Sequence, residues 1–380
     1  MCRATTDQLS IGSYNADACR ECIRLISLQT KSVVHMNVLL GQSKVRRNRA
    51  VATVDPSTAR RFCTVMLILA ACVAGCAHTT TVTKPPGVAH GDPYVIVLGT
   101  AQDAGSPQVN SPVDHPARLD ESNRRLATSL GIVDPASGRR WMIEATPDFR
   151  EQAWMLGRAA PASAQSVQID GVFLTHAHIG HYTGLMFLGH ESMGASDMPV
   201  YAAPRMATFL RTNGPWDQLV RYENIELRTL TPSEPVKLSE QLTVTPFLVP
   251  HRQEYSEVLG FRIDGPSRSV LFIPDIDSWA QWSAMGVELL DVVRDVDAAY
   301  LDATFFDDHE IPGRDMSAFP HPRITETMDR LQALPANERA KVRFIHLNHT
   351  NPAQWSDSDA RREIERRGFG VAIRGEQLPL

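Results

Sequence analysis

Cysteine is missing from most of this 380-residue chain: all six, Cys2, Cys19, Cys22, Cys63, Cys72 and Cys76, fall in the first 76 residues. The chain beyond Cys76 therefore has no disulfide, no thiolate metal ligand and no cysteine nucleophile, and a metal held there must be held by His, Asp or Glu. Positive charge is also scarce there. Residues 91–380 carry 27 Lys and Arg against 39 Asp and Glu, whereas residues 1–90 carry 11 against 4. An acidic body argues against a large phosphate-binding surface, and so against a nucleic-acid partner, while leaving room for a small nucleotide. No internal repeat or low-complexity block is visible.

The apolar run Phe62 to Ala74, about 13 residues, is too short to span a bilayer comfortably. It has the length of a signal-peptide core and is preceded by Arg60-Arg61. It ends in Val73-Ala74-Gly75-Cys76, which resembles a bacterial lipobox, so Cys76 is the expected lipidation site. His78 to Gly87 is rich in Thr and Pro, as a tether would be. Ala77 rather than Asp after the cysteine resembles an outer-membrane address. The expected location is thus the bacterial cell envelope, on a lipid anchor at the periplasmic face of the outer membrane. A signal normally starts near the N-terminus, so the true start is expected nearer Met36, Val51 or Val54. The pair Cys19/Cys22 lacks the second pair that a zinc site needs. The expected division is a non-native upstream extension or disordered segment (1–53), a lipoprotein signal (54–76), a tether (77–92) and one domain (93–380).

Within that domain, polar residues gather at the ends of apolar strands. Predicted strands are Tyr94 to Leu98, Leu126 to Val133, Trp141 to Glu144, Val172 to Leu174, Pro199 to Ala202, Leu242 to Val249, Val258 to Ile263, Ser269 to Ile273, Ala298 to Leu301 and Val342 to Leu347. Helices are expected over Phe149 to Arg158, Arg205 to Thr212 and Ile324 to Leu331, with another opening at Gly184 to Gly189. After Val172-Phe173-Leu174 comes His176-Ala177-His178-Ile179-Gly180-His181. Imidazole is the commonest protein ligand for zinc, and His176 and His178, two apart, share a side in extended backbone. His251, Asp275, Asp302 and His346 each come after another apolar run. In layered α/β architectures, sites form at such strand ends. Asp307-Asp308-His309-Glu310 reads as a solvated face, and His115 and His190 carry no functional expectation.

This order of His-x-His-x-x-His, a later His, an Asp and a late His resembles the metallo-β-lactamase superfamily. Within it the chain resembles the branch of the pyrroloquinoline quinone (PQQ) biosynthesis B proteins, through Leu98 to Gln108, Ala145 to Arg150, Leu301 to Phe306 and Ile345 to Pro352. The resemblance implies an α/β fold, an αββα sandwich with the metal site at the sheet edge. It implies His176, His178 and His251 on a first metal, His181 and His346 on a second, and Asp275 beside or between them. Asp302 is the candidate for helping to activate water, and His349 and His321 for contacting substrate or supporting ligands. The family motif usually has Asp just before the third His, where this chain has Gly180. The second site is therefore expected to be one ligand short, and a single tightly bound ion is expected. Relatives also carry cysteines in the loop that here reads Val109 to His115, where no thiolate site exists. Zinc is the expected cofactor, as one or two ions, and His/Asp sites also accept iron or manganese. The implied activity is hydrolysis of a small ester, lactone or phosphodiester. The alternatives are iron-dependent oxidative chemistry related to PQQ, and a lipoprotein that only binds a metal or ligand. The sequence is silent on oligomeric state.

Overall fold

In the computed structural model the described residues are 91–159 and 169–380. The expected extension and signal, with Cys76, lie outside them. Fourteen strands run in chain order among the described residues: β1 (Tyr94–Gly99), β2 (Ser129–Asp134), β3 (Arg139–Ile143), β4 (Gly171–Phe173), β5 (Met198–Ala202), β6 (Ile225–Thr229), β7 (Val236–Lys237), β8 (Thr243–Leu248), β9 (Leu259–Asp264), β10 (Ser269–Ile273), β11 (Ala298–Asp302), β12 (Val342–Ile345), β13 (Gly370–Val371) and β14 (Gln377–Pro379). They form two seven-stranded sheets, ordered β14-β1-β2-β3-β4-β5-β6 and β13-β12-β11-β10-β9-β8-β7.

The inner strands, such as β1, β2, β10 and β11, are buried on both faces because both faces are covered. Side chains alternate across a strand, so β1 divides into two sets. Val95 and Val97 join Ile132, Ile143, Phe173, Phe261, Phe272 and Tyr300 in a core built from both sheets. Tyr94, Ile96 and Leu98 face the other way and pack with Phe149, Leu156, Met206 and Leu210 of the helices Phe149–Ala159 and Pro204–Thr212. The second sheet repeats the arrangement, Leu271, Ile273, Leu301 and Phe344 packing with Trp279, Trp282, Met328 and Leu331. Helix, sheet, sheet and helix thus make the αββα sandwich.

The architecture also sets where chemistry can gather. β3, β4 and β5 pair in parallel, as do β10, β11 and β12. β1 and β8 each reach their parallel set through two antiparallel pairings, so they run in the same sense as it does. The C-terminal ends of β1, β3, β4, β8, β10, β11 and β12 therefore carry the loops of the site.

The main departures from the expected elements have local causes. Leu126 to Thr128 are not in β2, because the Leu126 carbonyl accepts from Thr100 and Ala101 and the Thr128 amide donates to Ala101. The expected helix at Gly184 is instead a short α-turn, Ile179–Tyr182, followed by a 3₁₀ segment, Thr183–Leu188, and the Gly184 amide bonds the Ala145 carbonyl. β12 stops at Ile345 because His346 takes φ +67°. The helices Trp216–Arg221, Trp279–Ala284 and Leu289–Arg294 escape sequence reading because six residues show less than two helical turns of pattern. Glu310 corrects the solvated reading of its run: it turns back to accept from the Phe306 amide and the Thr350 hydroxyl. Among the described residues, no helix is long and apolar enough to cross a membrane.

Candidate metal centre

The loop after β4 is pinned before its histidines can act. The Ala177 amide donates to Ser256 Oγ, the Leu259 amide to the Thr175 carbonyl, and the Ala145 amide to the His181 carbonyl. His176 and His181 are buried, and His178 is partly exposed. Three ring nitrogens then converge. His178 Nδ1 lies 2.8 Å from His176 Nε2 and 3.1 Å from His251 Nε2. Asp275 Oδ2 completes the group, 3.4 Å from His176 Nε2 and 3.2 Å from His251 Nε2.

The outer nitrogen of each ring is held separately. His251 Nδ1 meets Asp277 at 2.6 Å, His176 Nδ1 meets the Thr175 hydroxyl at 2.8 Å, and His178 Nε2 meets Glu254 at 3.1 Å. Thr175 donates its own proton to Glu144, so it is free to accept from His176. Such outer partners fix the tautomer and aim the inner lone pair. His176 and His178, with their outer nitrogens engaged, bring their inner nitrogens within 2.8 Å of each other, an unfavourable arrangement for two neutral rings unless a cation sits between them. Asp275 Oδ1 is buried without a hydrogen bond, a second sign that the donor set suits a metal.

A second group of donors shares Asp275. His181 Nε2 lies 3.6 Å from Asp275 Oδ2. Asp103 Oδ1, from the loop after β1, lies 3.1 Å from His181 Nε2 and 3.2 Å from His346 Nε2. Asp103, His181, Asp275 and His346 thus place one ligand atom each within 4.8 Å of one another, as do His176, His178, His251 and Asp275. His346 Nδ1 is held by Thr304 Oγ1 at 2.9 Å, and His181 Nδ1 faces Glu144 at 3.3 Å. The expectation of a second site one ligand short is corrected here: Asp103 brings it to four.

The electrostatics suit a cation. Burial drives His176 well below the usual imidazole value, and burial also lowers His178. At His251 burial opposes charge, but the Asp275 and Asp277 carboxylates outweigh it and carry the group to about 10. At His181 burial is likewise outweighed, by Glu144 and Asp103. Burial pushes the Asp275 and Asp103 carboxyls up, yet the surrounding histidines hold both well below the usual carboxylate range. Both are therefore anions at neutral pH. Asp103, Glu144 and His346 all have positive φ, at +22°, +80° and +67°. Non-glycine residues in that region cluster at functional sites.

Asp302 and His321 form a neighbouring pair. Asp302 is fully buried and saturated. Its Oδ1 accepts from the Thr304 amide and hydroxyl at 2.9 and 2.8 Å, and its Oδ2 from the Ile276 amide at 3.0 Å and His321 Nδ1 at 2.9 Å. A carboxylate so engaged is poorly placed to activate water, which corrects that expectation, and its work is to hold His321. His321 Nδ1 also lies 3.3 Å from Asp275 Oδ1. Arg323 stiffens the loop that carries His321 by donating to the carbonyls of Met316, Phe319 and His321.

His349 lies elsewhere. Its Nδ1 is 2.8 Å from Ser111 Oγ, its carbonyl faces His115 Nε2 at 3.3 Å, and it joins none of the donor groups. The chain leaves its strand at His346, too early to send both histidines to the centre. Sequence reading misses Asp103, Glu144, Asp277 and Glu254. Glu144 has a usable signal, because it ends a predicted strand as the other site residues do.

The model of the Beta-lactamase superfamily domain matches residues 139–347. The coenzyme PQQ synthesis protein B of Rhizobium meliloti (strain 1021) is 26% identical over 313 residues, 76% of this chain and 98% of that protein. Its counterpart from Gluconobacter oxydans (strain 621H) is 26% identical over 317 residues, 74% of this chain and 96% of that one. The crystal structure of Zn(2+)-bound PqqB from Methylobacterium extorquens superposes with a TM-score of 0.62 at 23% identity, covering 76% of this chain and all of its own. A diphosphatase from the PhnP family superposes with a TM-score of 0.53 at 22% identity, covering 76% of this chain and 97% of its own.

Proposed function

Since the chain belongs to the beta-lactamase superfamily, we propose that it is a metal-dependent hydrolase of a small ester, lactone or phosphodiester. The observation that carries this reading is Asp275, whose Oδ2 faces His176, His251 and His181 at 3.2–3.6 Å and so belongs to both donor groups. Zinc is our first choice of metal, because neutral imidazoles and carboxylates suit it, and the fold neighbour described as Zn(2+)-bound supports it. When bound, such an ion lowers the pKa of its water to about 7 and polarises the oxygen under attack.

The chain's own residues do the rest. Asp277, Glu254, Thr175 and Thr304 hold the rings of His251, His178, His176 and His346 by their outer nitrogens, and the Glu144 carboxylate lies 3.3 Å from His181 Nδ1. His321, with Nδ1 engaged by Asp302, keeps Nε2 to hold or give a proton at a leaving group. It also borders an open surface cleft of about 540 Å³ with Asp308 and Arg323.

The test is elemental analysis of protein purified without added metal or chelator, combined with a screen of esters, lactones and phosphodiesters. About one or two zinc per chain with turnover is expected, and His178→Ala should remove the ion held by His176, His178 and His251 and abolish turnover. Turnover that survives the loss of that ion would end this reading. The likeness to PQQ synthesis proteins supports a second reading, in which the same donors hold iron for oxidative chemistry related to PQQ. Predominant iron and substrate-dependent oxygen uptake would select it. The proposal further places the enzyme at the cell envelope on a lipid at Cys76, supported by the Arg60-Arg61 flank, the apolar core and the small residues before the cysteine. Cys76→Ala should move it from the membrane fraction to the soluble one.

A further inference from the structure

The feature that the sequence marks as a defect, Gly180, faces a feature that no motif announces, Asp103. A Cβ built on Gly180 would lie 2.3 Å from Asp103 Cα, 2.4 Å from its Cβ and 2.7 Å from its Cγ. Real Cβ atoms do not approach backbone carbons that closely. The volume that any side chain at 180 needs is therefore already filled by the residue that supplies a carboxylate. That carboxylate is aimed. A single oxygen, Oδ1, faces both His181 Nε2 and His346 Nε2, at 3.1 and 3.2 Å.

The loop after β1 is also tied to the segment carrying His346. The Gln102 amide donates to the Leu347 carbonyl at 2.8 Å, and the Leu347 amide to the Thr100 carbonyl at 2.9 Å. Ala101 bridges both Ala127 and Leu347, so this short stretch joins the two sheets directly beside the centre. A carboxylate on it is held in register with a histidine from the opposite sheet.

We propose that Asp103 is a ligand of a second metal ion, and that Gly180 is required because only a residue without a side chain lets the Asp103 loop dock. The two positions act as one device, with the carboxylate delivered from the first loop of the domain rather than from the histidine turn. This deepens the proposed hydrolase reading and rests on it for the first metal. It also reverses what the sequence suggests for Gly180→Asp. Adding a carboxylate there would expel the Asp103 loop, whose Cα is the clashing atom, so a second ion would not be gained.

The test is zinc stoichiometry by elemental analysis and isothermal titration on the full chain, independent of any substrate. Wild type should take up two ions, and Asp103→Asn and Gly180→Ala should each fall to one. Asp103→Asn keeps size and an acceptor oxygen, so it decides the matter even if Gly180→Ala does not fold. The ion retained by His176, His178 and His251 reports that a variant is folded. Two ions in folded Asp103→Asn would overturn the proposal. One ion in wild type, unchanged by Asp103→Asn, would overturn it too, while leaving a mononuclear hydrolase standing. A fall from two to one with no turnover of any ester, lactone or phosphodiester would support the device and count against the hydrolase reading instead.

Discussion

Replacing Asp277 by Ala is the sharpest test of how this centre is held. Asp277 donates nothing to a metal. It sits 2.6 Å from His251 Nδ1, with its own amide bonded to the Pro250 carbonyl at 2.7 Å. Among the described residues it is the hydrogen-bond partner of that nitrogen, whereas His251 Nε2 points inward, 3.2 Å from Asp275 and 3.1 Å from His178. Removing the carboxylate leaves the imidazole free to rotate or to change tautomer. The metal must then select one arrangement from several. Loss of such outer partners typically costs 10–100-fold in metal affinity, about 1.4–2.7 kcal/mol. Asp277→Asn should fall between wild type and Ala, because its amide oxygen still accepts from Nδ1–H but lacks the charge that raises ligand basicity. The assay is competition for zinc against a chromophoric chelator, with near-ultraviolet circular dichroism as a check on folding. An affinity for the first ion in Asp277→Ala within twofold of wild type would refute the argument that outer-nitrogen partners orient this site. A weakening in which Asn equals Ala would show that charge, rather than the hydrogen bond, carries the effect.

The surroundings of the centre give two further expected outcomes. His321→Gln should lower kcat by about 10²–10⁴-fold, the usual contribution of a positioned acid or base, while metal content stays at the wild-type value; a loss of metal would instead make His321 part of the ligand set. Glu310 is pushed up to about 7 by burial, against the Thr350 hydroxyl and Phe306 amide that favour its anion. Its folded value lies above its unfolded one, so the folded state binds the extra proton, and stability should fall by about 3 kcal/mol as pH rises from about 4.5 to 7 and then level off. Glu310→Gln should flatten that slope in denaturant titrations at pH 5 and pH 7.5, and an unchanged slope would assign it to other groups.

The residues that sequence alone can find share one property: each comes after an apolar run in its own stretch of chain. His176, His178, His251, Asp275 and His346 all follow strands that their apolar runs make visible, and the sandwich gathers those ends at one edge. Glu144 obeys the same rule and escapes notice only because it reads as the last residue of its strand. Asp277 and Glu254 act on neighbouring histidines from exposed or partly exposed positions, where nothing in local pattern separates them from ordinary surface acids. Asp103 is a different case. It lies in a loop of Gly, Ser, Pro and Asp, four residues after β1, and its function depends on β1 lying in one sheet and β12 in the other. Its partner positions, His181 and His346, are 78 and 243 residues away. A motif reading compares residues that are adjacent in sequence, so it can register that Gly180 has lost a donor. It cannot register that the same loss opens the space through which another loop supplies one. The absence of a side chain at 180 is informative only once the fold shows what occupies the space. A change at either position should therefore be judged with the other, and an aspartate restored at 180 is expected to damage the centre it seems to repair.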